Sequence, residues 1–138
     1  MRLTQFSDYA LRLLIYVAQY PEHRVTIAEV AGTLAISRNH LMKVANRLSK
    51  AGLLRPSRGR AGGLALGKAA AEVSVGDVLR ATEPDFFLVG SMAHGACVTR
   101  AEYHLREALQ NALSAFFLSA DRQTLADLAA HSTDKVSP

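Results

Sequence analysis

Thr26-Ile27-Ala28-Glu29-Val30-Ala31-Gly32-Thr33-Leu34-Ala35-Ile36-Ser37-Arg38-Asn39-His40 is the stretch that decides the fold. Thr26, with Glu29 three residues on, reads as a capping box that opens a short helix. Ile27, Val30, Ala31 and Leu34 make its apolar stripe, and the helix stops near Ala35. Ser37 then reads as the N-cap of a second helix running through Lys50. Leu41, Val44, Ala45 and Leu48 face inward there, and Gly52 lies just past the end, where a left-handed residue is usual. Only Ile36 and its neighbours separate the two helices. That is the tight connection of a helix-turn-helix, whose second helix suits the major groove of DNA.

The flanks complete the layout. Phe6, Tyr9, Ala10, Leu13, Leu14 and Val17 recur at helical spacing, which predicts a first helix from about Thr4 to Gln19, ended by Pro21. After Gly52, the runs Leu53-Leu54-Arg55 and Leu64-Ala65-Leu66-Gly67 flank a loop rich in glycine and arginine and predict a hairpin. Ser74 with Asp77 caps a fourth helix that ends before Pro84. An irregular segment follows. Thr99 with Glu102 then opens a long helix to about Ser119, with Leu105, Leu109, Ala112, Leu113 and Phe116 on one face. Thr124 caps a last short helix. The predicted class is mainly α, a winged helix-turn-helix with a two-stranded wing and a long C-terminal dimerisation helix. The expected division is a DNA-binding unit over 1–83, a sensor segment over 84–98, the dimerisation and terminal helices over 99–130, and a flexible tail over 131–138.

Charge agrees with that layout. The chain has 138 residues and a net charge of +4, but no acid falls between Glu29 and Glu72. That interval holds eight basic residues, Arg38, Lys43, Arg47, Lys50, Arg55, Arg58, Arg60 and Lys68. A charge run alone is usually a solvated face. On this element order it reads as an electrostatic footprint for phosphate. Arg38, Asn39 and His40 open the recognition helix, where arginine suits guanine and asparagine suits adenine. Lys43 and Arg47 lie further along it, and the caps Thr26 and Ser37 complete the candidate DNA contacts on the helices. Arg58 and Arg60 straddle Gly59 on the wing and suit a backbone or a narrow minor groove. DNA readers of this size bind near-palindromic operators as homodimers, and the long helix needs a surface to cover its stripe.

Other classes are disfavoured. Hydrophobic content of 49% and charged content of 20% describe a globular chain rather than a disordered one. No apolar run approaches the roughly 20 residues that span a bilayer, and no secretory pattern opens the chain. No membrane partner is expected, and the expected location is cytoplasmic. The histidines are scattered and no nucleophile–base pairing is visible, which argues against an enzyme. A winged helix reused as a protein-interaction module does not need eight basic residues without acids.

The opening Met1-Arg2-Leu3-Thr4-Gln5-Phe6-Ser7-Asp8-Tyr9-Ala10-Leu11-Arg12 resembles the start of the IscR/NsrR/RirA winged-helix repressors. Ser37 to Val44, Arg58 to Gly67, Val75-Gly76-Asp77-Val78, Glu83-Pro84 and Thr124 to Leu128 extend the resemblance over nearly the whole chain, and they look most like NsrR. The resemblance implies a dimeric repressor holding an iron–sulfur cluster, 2Fe–2S or 4Fe–4S, that responds to nitric oxide, redox state or iron. It also implies three cysteine ligands and an aspartate from the partner's first helix, to which Asp8 corresponds.

This sequence departs at the cysteines. The three ligand positions fall on Ser91, Cys97 and Tyr103, and Cys97 is the one cysteine of the chain. Serine and tyrosine are hard, weak substitutes for thiolate on cluster iron. Three readings stay open. A cluster could be held by Cys97 with Asp8, His94 and His104, since histidine replaces cysteine in Rieske centres. Cys97 could instead act as a reactive thiol ahead of the Thr99 helix. In the third, the segment binds another small ligand or none. Taken singly, His94 and His104 read as surface histidines, and a lone cysteine reads as a small buried hydrophobe.

Overall fold

The computed structural model describes residues 2–57, 59, 62–88 and 99–131. Its elements are α1 (Gln5–Gln19), α2 (Ile27–Leu34), α3 (Arg38–Lys50), β1 (Leu54–Ser57), β2 (Gly63–Leu66), a 3₁₀ turn (Ala70–Glu72), α4 (Val75–Thr82), α5 (Arg100–Ala120) and α6 (Leu125–Ala130). The fold is mainly helical with a two-stranded antiparallel wing, as the sequence predicts.

Each helix start is built locally. The side chains of Thr4, Thr26, Ser37, Ser74, Thr99 and Thr124 accept a bond from the third residue of the helix that each opens. In α2, α4, α5 and α6 the acidic third residue returns the bond, so two orphan amides are satisfied at once. The turn between α2 and α3 passes through Ala35 in the left-handed region, at φ 54°. Gly52, at φ 73°, makes the turn from α3 into β1.

The core lies where α1, α2, α3 and the wing meet. Leu13, Leu14, Val30, Leu41, Val44 and Leu48 are fully buried. Val25 joins them and extends the wing by one bridge, with Leu64 N donating to Val25 O at 2.7 Å. That bond explains a difference from the expected strand. β1 runs on to Ser57 through Pro56, which pairs with Leu64. The Leu64 amide points away from β1, so this is the pair type that exchanges no ladder bond, and the proline forfeits nothing. Gly67 closes the wing against the turn. A β-carbon there would overlap the Gly52 carbonyl.

After the long α5 the chain returns to the winged helix. Leu125 is fully buried in the same core, and its amide donates to Val73 O at 2.9 Å. Val75 N donates to Gln123 O at the same distance, so the start of α4 and the α5–α6 turn form one backbone-bonded unit.

Candidate nucleic-acid interface

The recognition helix separates its two faces by period. Leu41, Val44 and Leu48 are buried, while Arg38, Asn39, His40, Lys43 and Arg47 are exposed. Ser37 Oγ accepts from His40 N at 3.2 Å, which fixes the first turn and with it the three candidate base readers. No acid stands in that turn. The Ser37 hydroxyl proton has no acceptor among the described residues and is available to a phosphate oxygen. Thr26 is alike. Its Oγ1 accepts from Glu29 N at 3.2 Å at the start of α2.

Two candidate residues make interactions that the sequence does not disclose. The His40 ring leans on Tyr9 of α1, with centroids 6.0 Å apart and planes at 38°. Arg47 donates from Nε to Ala81 O at 2.6 Å, so one edge of its guanidinium is spent within the protein. Its terminal nitrogens are what remain for a phosphate. Met42, which sequence reasoning passed over, is 59% exposed on the same helix. A thioether there offers an apolar surface of the kind a thymine methyl accepts. The signal was its place one step off the buried stripe.

The start of α2 is held by hydrogen bonds. Glu29 accepts from His23 Nε2 and Tyr16 Oη, both at 3.1 Å, and from Thr26 N at 3.4 Å. The His23 bond is the chief cause holding this carboxyl below its ordinary range, and burial opposes it. Arg12 donates to Leu34 O at 3.3 Å and pairs with Asp8 at 3.7 Å, bracing α1 against the other end of α2. At the loop end of the wing strands Arg24 bonds Ser57 Oγ. Arg58 and Arg60 lie outside the described residues. Between them Gly59 takes φ 105° and accepts from Gly62 N at 2.9 Å, a bend that glycine permits.

Comparison with known proteins bears on this surface. The family model described as "Rrf2: Iron-dependent Transcriptional regulator" matches residues 3–131. The chain belongs to the Rrf2 family. It is a DNA-binding transcriptional regulator and not an enzyme. Among solved structures, it is similar to CymR, the global cysteine regulator of B. subtilis, at 26% identity and a TM-score of 0.79, with 95% of this chain and 98% of that chain covered. The oxidized form of Staphylococcus aureus CymR is similar at 27% identity and a TM-score of 0.72, covering 94% and 96%. T. potens IscR shares the fold at 21% identity and a TM-score of 0.75, covering 100% and 92%.

The donor set of this Rrf2 chain does not fit a cluster held by three thiolates, because one cysteine is all that the sequence contains. Cys97, His94 and Ser91 lie outside the described residues. Tyr103 stands exposed on α5. Asp8 is paired with Arg12, and His104 Nδ1 lies 3.7 Å from Glu107 Oε2. Among the described residues no three of His, Cys, Asp and Glu gather as a metal site. Nor is any helix among them long and apolar enough to cross a membrane.

Proposed function

We propose that this protein is a cytoplasmic, homodimeric repressor that reads a near-palindromic operator in double-stranded DNA. In each copy α3 lies in the major groove. Arg38, Asn39 and His40 face base edges, and Thr26, Ser37, Lys43 and Arg47 hold phosphates. Arg58 and Arg60 reach the backbone or minor groove from the wing. The observation that carries this reading is the exposed, acid-free face of α3 on a buried stripe that fixes its orientation. The partner follows from α5. This helix of 21 residues extends about 30 Å, and Leu105, on the stripe shared with Leu109, Ala112, Leu113 and Phe116, is 58% exposed. A second copy of the same helix would cover that surface in a symmetric, self-complementary interface.

Selection from a randomised DNA library tests the reader. The expected product is a two-fold-related pair of half-sites bound by two chains. A lone half-site bound by one chain would remove the dimer, and the absence of any enriched sequence would remove the reader.

For the signal, the NsrR type implies a cluster that responds to nitric oxide, redox state or iron. The single cysteine favours the alternative, a cluster-free regulator that senses through the Cys97 thiol or a small ligand. Anaerobic purification with iron and sulfide assays separates the two. A colourless, iron-free protein that binds its operator supports the cluster-free form, and stoichiometric iron and sulfide overturns it.

A further inference from the structure

Four consecutive residues close α4 and tie it to three other parts of the molecule. Arg80 forks onto Asp121, just past α5, with Nη1–Oδ1 at 2.7 Å and Nη2–Oδ2 at 2.8 Å. Ala81 O accepts from Arg47 of α3 at 2.6 Å. Thr82 Oγ1 meets Ser7 Oγ of α1 at 2.7 Å in a buried pair. Glu83 Oε1 accepts from Thr4 N at 2.8 Å and from Thr4 Oγ1 at 3.0 Å. One two-turn helix therefore joins the recognition helix, the first helix and the long helix.

The joint to the long helix is the most closely shaped of the three. The Arg80 guanidinium carbon lies 4.4 Å from the centroid of Phe117 on α5. Phe117 packs edge-on against Phe86 at 4.7 Å. Asp121 also accepts from Ser74 Oγ at 3.3 Å, so its carboxylate spans α4 from cap to last turn. Gly76 makes this possible, since a β-carbon there would overlap Asp121 Oδ1. An exposed ion pair adds little to stability. A planar fork that is both bidentate and stacked instead fixes direction.

Direction matters because the lever is long. A rotation of about 10° at the base of a helix of about 30 Å moves its far end by about 5 Å. One base-pair step of DNA is about 3.4 Å along the axis and turns by about 35°. A small rotation at this joint therefore displaces the far end by more than the rise of one base pair, enough to alter the spacing between half-sites.

We infer that the joint of Arg80, Asp121 and Phe117 sets the half-site spacing that the dimer accepts, with Arg80 as a positioning residue remote from the DNA. This rests on the dimeric reader proposed above. It differs from a structural role in its readout, because spacing preference and base preference are separate measurements.

The test uses the full chain and a set of operators in which two fixed half-sites are separated by stepwise longer spacers. The wild-type protein is expected to favour one spacing and to bind about tenfold more weakly at one base pair more or less, the scale of a mismatched base pair. Arg80→Ala is expected to reduce that discrimination to about threefold or less, with base preferences inside each half-site unchanged. Arg80→Lys keeps the charge and loses the fork, and it carries the test if the alanine variant does not fold. Its profile is expected to broaden too. Spacer profiles as sharp as wild type in the folded variants overturn the joint and leave the reader intact. A wild-type protein that binds no paired site overturns the reader, and the joint with it.

Discussion

Gly76 and Asp121, far apart in sequence, are fitted to each other. The Asp121 carboxylate occupies the place that a β-carbon on Gly76 would need, and that β-carbon would also come within 2.9 Å of Arg80 Nη1. Glycine inside a helix usually weakens it, and alanine should add about 1 kcal/mol. Gly76→Ala is expected to withhold that gain, because Asp121 must leave and the Arg80 fork opens. Urea unfolding of the two proteins checks it. A full gain of about 1 kcal/mol would show that the fit has no consequence.

A second pairing is buried outright. Thr82 Oγ1 donates to Val78 O at 2.8 Å, so the 2.7 Å bond with Ser7 uses the serine proton. Removing one partner strands the other. Thr82→Val and Ser7→Ala are each expected to cost about 1–2 kcal/mol, and the double variant less than their sum, because neighbours that share a bond are not additive. A double-mutant cycle by denaturant unfolding measures the coupling. Simple additivity would refute it.

Glu83 ties the same helix end to α1, and its titration gives a sign. Burial pushes its carboxyl up, but the neighbouring Ser7 hydroxyl and the bonds from the Thr4 amide and the Thr4 hydroxyl outweigh that and hold it below the ordinary 4.5. A carboxyl depressed on folding contributes stability above its unfolded value and loses it as pH falls, because the unfolded chain then binds more protons. Glu83→Gln is expected to flatten the stability profile below about pH 5 and to differ least from wild type at acid pH. Parallel profiles from neutral pH down to about pH 3 would count against it.

The turn between α2 and α3 holds its strain on one residue. Ala35, not glycine, takes φ 54°. The left-handed region costs a residue with a β-carbon about 1–2 kcal/mol, while glycine loses about 0.4–1 kcal/mol more chain entropy on folding. The first term is the larger, so Ala35→Gly is expected to stabilise by about 0.5–1 kcal/mol. A calorimetric melting point below wild type would reverse the balance.

These cases divide what the sequence discloses from what it does not. The caps at Thr26, Ser37, Ser74, Thr99 and Thr124 were legible because each is a bond across three residues. The exposed row Arg38, Asn39 and His40 was legible because it follows from the same period as the buried Leu41, Val44 and Leu48. Ala35 gave no sign, since its left-handed turn comes from helix packing and not from its type. The Arg47 bond to Ala81, and the return of Leu125 to the core, depend on elements meeting after long loops. The Arg80 fork spans 41 residues, and no local pattern encodes that. So the exposed face of α3 that is proposed to read DNA was visible in the sequence, and the supports behind it were not.

Residues on that face divide by what they touch. One that reads a base and one that holds a phosphate both weaken binding when removed, but they differ in what else changes. Arg38→Ala is expected to relax preference at one base position per half-site and to cost about 1–3 kcal/mol against the best operator only. Lys43→Ala should weaken all sequences alike. Arg58→Ala with Arg60→Ala should lower the steepness of log affinity against log salt by about 0.9 for each phosphate that is no longer neutralised. Measuring affinity on matched and scrambled DNA across a salt series reads both effects. If Arg38→Ala weakens both DNAs equally, the arginine holds a phosphate and base reading passes to Asn39 and His40. If the salt slope is unchanged without Arg58 and Arg60, the wing touches no phosphate.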